Sequence, residues 1–384
     1  MSYARSSSFE LLPVSNAREA RQFVQMPVPL YRGDPNWIRP LDRDIEAVFS
    51  EAHNPRIARG APFQRWLLLD QTGAPAGRIA AFRHPAQEDA QPLYFGGVGF
   101  FECIEEPQAA QLLFDAAANW LRLQGYRGME GPINFGERDR WWGLLVEGFH
   151  PPVYGMPYHL PYYRHLFENY GFEVGFKQFT YRKQFSDPPP PALVRFAGRA
   201  EKLEGYRYCC IDRKQLDRFT DDFRHIYNYA WTEHEGVKPI SAGEARQLMK
   251  EIKPILDERL MWFAYHDDEP VAFFIMLPDI NQIVRKLNGK FGWWQKLRFL
   301  YLLKTGAIDN VLGLVFGVVP QHQAKGIESM ISLKFREVTQ APSFHYKTLD
   351  LNWIGDFNKS MQHFARLLGG KVHKTHVTYR KTFT

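Results

Sequence analysis

Cysteine is nearly missing from this chain: Cys103, Cys209 and Cys210 are the three present in 384 residues. An odd count with one vicinal pair cannot build the disulfide framework of a secreted protein and points to a reducing compartment. No stretch reaches the ~18 uninterrupted apolar residues that a spanning helix needs. The opening MSYARSSSFELLPV also lacks the apolar core of a signal peptide, so a cytoplasmic body is expected. Neither sign of charge dominates. With 48 basic and 42 acidic residues and a pI near 9.0, the mild excess suits an anionic membrane surface or a phosphate-bearing ligand, and no nucleic acid partner is expected. A G-x-S-x-G elbow, a P-loop, a CxxC pair and an HExxH helix are all absent. Serine hydrolase, NTPase and zinc chemistry therefore have no foothold, and no metal is expected.

Aromatic residues, by contrast, are plentiful: 30 Phe, 18 Tyr and 10 Trp suggest grooves lined for an apolar ligand. The length favours two domains, each with its own core. Ser186 to Pro191 reads SDPPPP, which no helix interior or central strand tolerates, so it is read as a linker between lobes 1–185 and 192–384. Before it, Arg65–Asp70 and Gly77–Phe82 alternate as a hairpin, and Tyr94–Phe101 reads as the next strand. Leu112, Leu113, Ala116, Ala117, Trp120 and Leu121 then repeat at helical spacing up to Gly125. After the linker a similar order returns: helix 212–229, strands 260–265, 270–277 and 311–319, helix 327–338, strand 348–353, helix 358–368 and strand 371–381. The fold class expected is mixed α/β in two lobes of one topology.

The segment Val318-Val319-Pro320-Gln321-His322-Gln323-Ala324-Lys325-Gly326-Ile327 joins a strand to a helix. A glycine-containing turn entering a helix aims backbone N–H groups outward, and the helix dipole adds positive potential for a pyrophosphate. This loop resembles the acyl-CoA signature of the GNAT superfamily, matching at Gln323 and Gly326. Glu328 stands where that family has Gly or Ala, and Ala365 where it often has a tyrosine acid. The resemblance implies two GNAT lobes, acyl-CoA as donor, a CoA loop from Val318 to Ile327, and Asn352 and Asn358 along the pantetheine arm. Gly96 to Cys103 in the first lobe runs into Pro107 without such a turn, so that lobe is read as degenerate for CoA.

Across most of the chain, GPINFGERDRWWGLLVEGF, PYHLPYY and YKTLDLNWIGDFNKSMQ look like a tandem-GNAT family that includes bacterial ceramide synthases. That resemblance implies N-acylation of a sphingoid base, a long-chain amine, by direct attack on the thioester. Amide formation needs a neutral amine and a proton acceptor. His234, flanked by Glu233 and Glu235, is the first candidate base, and Asp350 on its strand the second. Glu137 heads a polar loop before Trp141-Trp142, and Tyr158 is placed to line the acceptor pocket or donate a proton. His373 and His376 are read as sharing a strand face, with no third metal ligand at suitable spacing. Two rival readings share this architecture: an aminoacyl-tRNA-dependent transferase acting on a peptidoglycan precursor, and a non-catalytic binding module.

Arg285 to Lys304 reads RKLNGKFGWWQKLRFLYLLK, six cations and no acid among aromatics and leucines. Such a segment suits an anionic membrane surface, which would make the protein peripheral on the cytoplasmic face. The ordinary alternative is a helix whose apolar side joins the core.

Overall fold

The computed structural model describes residues 5–6, 8–85, 94–136, 138–231 and 239–383. It is a mixed α/β structure whose described strands form one sheet. In chain order they are β1 Arg5–Ser6, β2 Phe9–Pro13, β3 Phe63–Asp70, β4 Pro75–Phe82, β5 Phe95–Cys103, β6 Gly128–Gly131, β7 Leu144–Glu147 and β8 Glu173–Gln184. Then follow β9 Tyr206–Cys210, β10 Met261–His266, β11 Glu269–Pro278, β12 Asn310–Val318, β13 Thr348–Gly355 and β14 Lys371–Thr382.

Across the sheet the order is β1-β2-β3-β4-β5-β6-β14-β8-β13-β12-β11-β10-β9, with β7 also on β14. The two halves of the chain thus exchange their closing strands. Alternation on β14 sends Val377 and Tyr379 into the core of the first half with Leu113, Phe114 and Phe167. Tyr181 of β8, with Phe185 just beyond it, packs instead with Ile331, Phe335 and Leu349 of the second half. Each hydrophobic core is completed by residues from the other half of the sequence.

Helix Pro107–Leu123 buries Ala110, Leu113, Phe114, Ala117 and Leu121 at i, i+3, i+4, i+7 and i+11, one stripe against β3–β6. Gly125 stops it at φ +89, where a side chain would be strained. The proline run ends as a helix start, since Pro191 is the first residue of Pro191–Ala200 and its fixed φ suits that position. The helix expected from Asp212 begins as a 3-10 turn, Arg213–Gln215, and continues as Leu216–Trp231. Helix Ala242–Ile252 was not anticipated, although Ser241 and Glu244 form a capping box at its start. No helix among the described residues is long and apolar enough to cross a membrane.

Candidate active site

Strand β12 holds an extra residue at Leu314. Gly313 pairs with Met276 and Val315 with Ile275, so Leu314 has no partner on β11. A bulge of this kind bends its strand and raises its twist. On the other side β12 pairs with β13 in parallel only from Asn310 to Gly313, against Thr348 to Leu351. Beyond that the two strands part, leaving Leu314 exposed on one wall and Phe316 stacked on Phe364 at 4.3 Å. The result is an open cleft between parallel strands with unpaired backbone along it.

At the end of β12, Val319 N–H is tied to Val271 O (2.9 Å) and Gln323 Nε2 to Val318 O (3.0 Å), which pins the loop at its root. Ala324 and Gly326 adopt φ +59 and +82, and Gly326 is the N-cap of helix Ile327–Thr339 with no side chain capping it. Two left-handed residues around Lys325 turn successive amides outward beside a helix N-terminus. Gly326 is required twice over, because a Cβ there would lie 2.4 Å from Phe196 O of helix Pro191–Ala200. The loop therefore fits a pyrophosphate in its backbone geometry. Glu328 works against it: its carboxyl lies over its own N–H, and burial raises its pKa above the usual range.

The first half holds a counterpart whose cleft is closed. β5 leaves β6 after Gly97, with Phe100 at φ +52 and a register shift against β4 nearby. Here, however, Ile133 N–H donates to Val98 O (2.8 Å), and Gly99 approaches Ile133 O so closely that a Cβ would lie 1.8 Å from it. The following helix is capped by the Glu106 carboxylate, which accepts from Gln108 N–H (3.3 Å) and repels phosphate.

No family model matches the chain. A tandem GNAT protein from the clavulanic acid biosynthesis pathway superposes with TM-score 0.54 at 10% identity, over 97% of this chain and 98% of that one. The chain has the tandem GNAT fold. The glucosamine N-acetyltransferase region of a fungal multi-domain β-N-acetylglucosaminidase gives TM-score 0.53 at 13% identity, over 97% of this chain and 38% of that chain. In sequence, the chain is similar to the bacterial ceramide synthase of Caulobacter vibrioides. They share 27% identity over 383 residues, 98% of each chain. Protein YghO of Escherichia coli K12 is 29% identical over 373 residues, 95% of this chain and 93% of that one. Fold and relatives together support an N-acyltransferase.

Within the tandem GNAT frame, Asp350 is fully buried and bound on both oxygens by Arg182, whose Nε and Nη2 donate at 2.6 Å each. Asn310 Nδ2 adds a third bond at 3.2 Å and also reaches Asp279 at 3.3 Å. Lys374 lies in the same cluster, donates to Pro151 O (2.6 Å), and is pushed down to about 8 by burial. Burial likewise raises Asp279 to about 6. His373 stacks on exposed His150 with centroids 4.4 Å apart and planes 1° from parallel. Burial first, then the charges of Arg182 and Lys374, hold His373 down at about 4, so it is neutral at pH 7, and its buried Nε2 meets no partner. This cluster sits on the strand rungs just before β12 and β13 part.

Tyr158 lies elsewhere, donating to Asp34 (2.8 Å) in the wall of a pocket in the first half. Trp37, Phe100, Phe101 and Trp141 line it beside a buried Glu102 that accepts from Tyr31 and Tyr163 at 2.8 Å each. Met156 belongs to that wall and also packs with Leu312 and Trp353, so the pocket adjoins the cleft. Asn352 accepts from Thr180 (2.9 Å), and Asn358 caps helix Lys359–Leu367 through Met361 N–H (3.1 Å). Both amide side chains thus have structural partners. Ala365 is buried in the core. His376 separates from His373, burying its ring against Pro157 O (3.3 Å). His234, Glu233, Glu235 and Glu137 lie outside the described residues. The bulge at Leu314, Arg182 and the His150–His373 stack were not found from the sequence. Only pairing partners reveal them, although the cations and histidines of β14 were visible as a group.

Proposed function

We propose that this protein is an acyl-CoA-dependent N-acyltransferase that acylates a long-chain amine, a sphingoid base, giving a ceramide or dihydroceramide. The observation that carries this reading is the cleft at Leu314, leading to the left-handed loop Ala324–Gly326 and an uncapped helix. An extended thioester arm fits such a cleft, because unpaired strand edges offer it backbone hydrogen bonds and the loop receives its phosphates. The aromatic pocket beside Met156 supplies apolar surface for a long acceptor chain. Similarity to a bacterial ceramide synthase over 98% of both chains supports the choice of amine.

In this reading acyl-CoA supplies the activated carbonyl. The amine nitrogen bonds to that carbon, the C–S bond breaks, and the amine proton leaves to solvent along the exposed His150 face. His373, held down at about 4 and neutral at pH 7, does not store that proton; its ring accepts a hydrogen bond from the attacking amine and orients it. Asp350 and Arg182 hold the rungs below the cleft and act as positioning residues. The departing thiolate takes its proton from water, since Ala365 offers none.

Mass spectrometry of products from palmitoyl-CoA, detergent-dispersed sphinganine and a panel of other amines tests the proposal. N-acylsphinganine as the dominant amide is the expected result. No amide from any amine, at any acyl length, contradicts it.

A further inference from the structure

Strands β11 and β12 are antiparallel neighbours that a turn of a few residues could join. Residues 279–309 instead leave the sheet, form helix Trp293–Lys304, and return. That helix faces solvent with its apolar side. Trp293, Trp294, Leu297, Leu300 and Tyr301 are all 46–67% exposed, while Phe299 is its one buried residue. At 100° per residue these five fall in one arc of about 120°, and the two indoles stack at 3.8 Å. Lys296 and Arg298 border the arc, Lys304 ends it at the last residue of the helix, and Arg285, Lys286 and Lys290 are exposed in the segment that leads into it, with no acidic residue from 285 to 304. An ordinary amphipathic helix turns these faces the other way.

The excursion is held at both ends. Asp279 N–H donates to Asn310 O (2.9 Å), Gln282 and Asp309 exchange two bonds of 2.8 Å, and Asn281 donates to Pro152 O (2.7 Å). Further out, Asp42 N–H donates to Gly289 O (2.8 Å) and Arg43 covers the ring of Phe291 at 3.8 Å. Its root is therefore the polar cluster below the cleft.

We propose that residues 279–309 are a membrane-seating element that sets the Trp293–Tyr301 stripe into an anionic phospholipid bilayer. Indole and tyrosine rings suit the headgroup zone, the leucines reach the acyl boundary, and the surrounding cations meet lipid phosphates. An exposed apolar arc flanked by cations on both sides matches a negatively charged apolar surface. The element fixes one side of the molecule toward the bilayer, with the cleft and its acceptor pocket beside it. This holds whichever amine the enzyme acylates.

Flotation of the purified full chain with vesicles of phosphatidylcholine alone, and with added phosphatidylglycerol, tests the proposal. Two variants accompany the wild type: Trp293→Ser with Trp294→Ser, and Lys296→Glu with Arg298→Glu. All four positions are exposed, so unchanged circular dichroism melts verify folding. Wild type is expected to float only with the phosphatidylglycerol vesicles, and each variant to bind at least about tenfold less. Absence of flotation, or equal flotation of wild type and both variants, overturns the proposal. A wild-type dimer that the tryptophan variant dissolves, with no vesicle-bound fraction, assigns the stripe to a second copy and also overturns it.

Discussion

Arg182 of β8 and Asp350 of β13 form a two-bond ion pair, 2.6 Å on each arm, between strands from the two halves of the chain. Asp350 is fully buried while Arg182 retains some exposure. Arg182→Met leaves a buried carboxylate with Asn310 as its remaining partner and should cost about 3 kcal/mol. The loss is read in urea unfolding. Adding Asp350→Leu should restore most of it, because the cost lies in the unpaired charge.

Gly326 and Gly73 have nearly the same left-handed φ, +82 and +81, but only Gly326 faces a carbonyl where its Cβ would lie. Gly73→Ala should cost about 1 kcal/mol from backbone strain. Gly326→Ala should cost more, about 1–3 kcal/mol, and should also weaken coenzyme A binding measured by calorimetry.

Glu328 places a carboxyl at the helix start where the phosphates are proposed to lie. Glu328→Gln should tighten coenzyme A binding about two- to fivefold at neutral pH. Burial raises the folded pKa of this group. Its charge therefore disappears as pH falls through that raised value, and the two proteins should converge in affinity there. A constant ratio at all pH values would detach Glu328 from the site.

His159 and His376 are buried and held down at about 3, chiefly by burial. Their unfolded value is near 6.5, so between pH 6.5 and about 3 the unfolded chain binds protons that the folded chain refuses. Each should lower stability by up to about 1.4 kcal/mol per pH unit as pH falls through that window. His376→Leu should remove one share of that acid slope, measured against wild type by chemical unfolding.

Much of this fold is legible in local pattern, and the site is less so. Strand alternation from Arg65 to Phe82 and the helical stripe from Leu112 to Leu121 fall where the structure has them, because their faces are buried by immediate neighbours. The loop from Gln323 to Gly326 is readable because left-handed turns restrict residue choice. The strand exchange is not, since β8 and β14 alternate in the same way whichever half of the chain they pair with. Nor does VLGLVFGVV disclose that Leu314 is the bulge, a matter of register with β11. His373 is an ordinary strand residue until Arg182 and Lys374 arrive beside it from distant sequence and from the next position.

The Leu314→Trp variant addresses the central claim most directly. Leu314 is exposed in the cleft, so a larger ring there should fill it without disturbing the core. Acyl transfer from palmitoyl-CoA to sphinganine, followed by product mass and coenzyme A release, should be present in wild type. It should fall to background in Leu314→Trp, with an unchanged melting curve. Equal turnover by the two proteins, or no transfer by wild type, would contradict the assignment of this cleft as the acyl-transfer site.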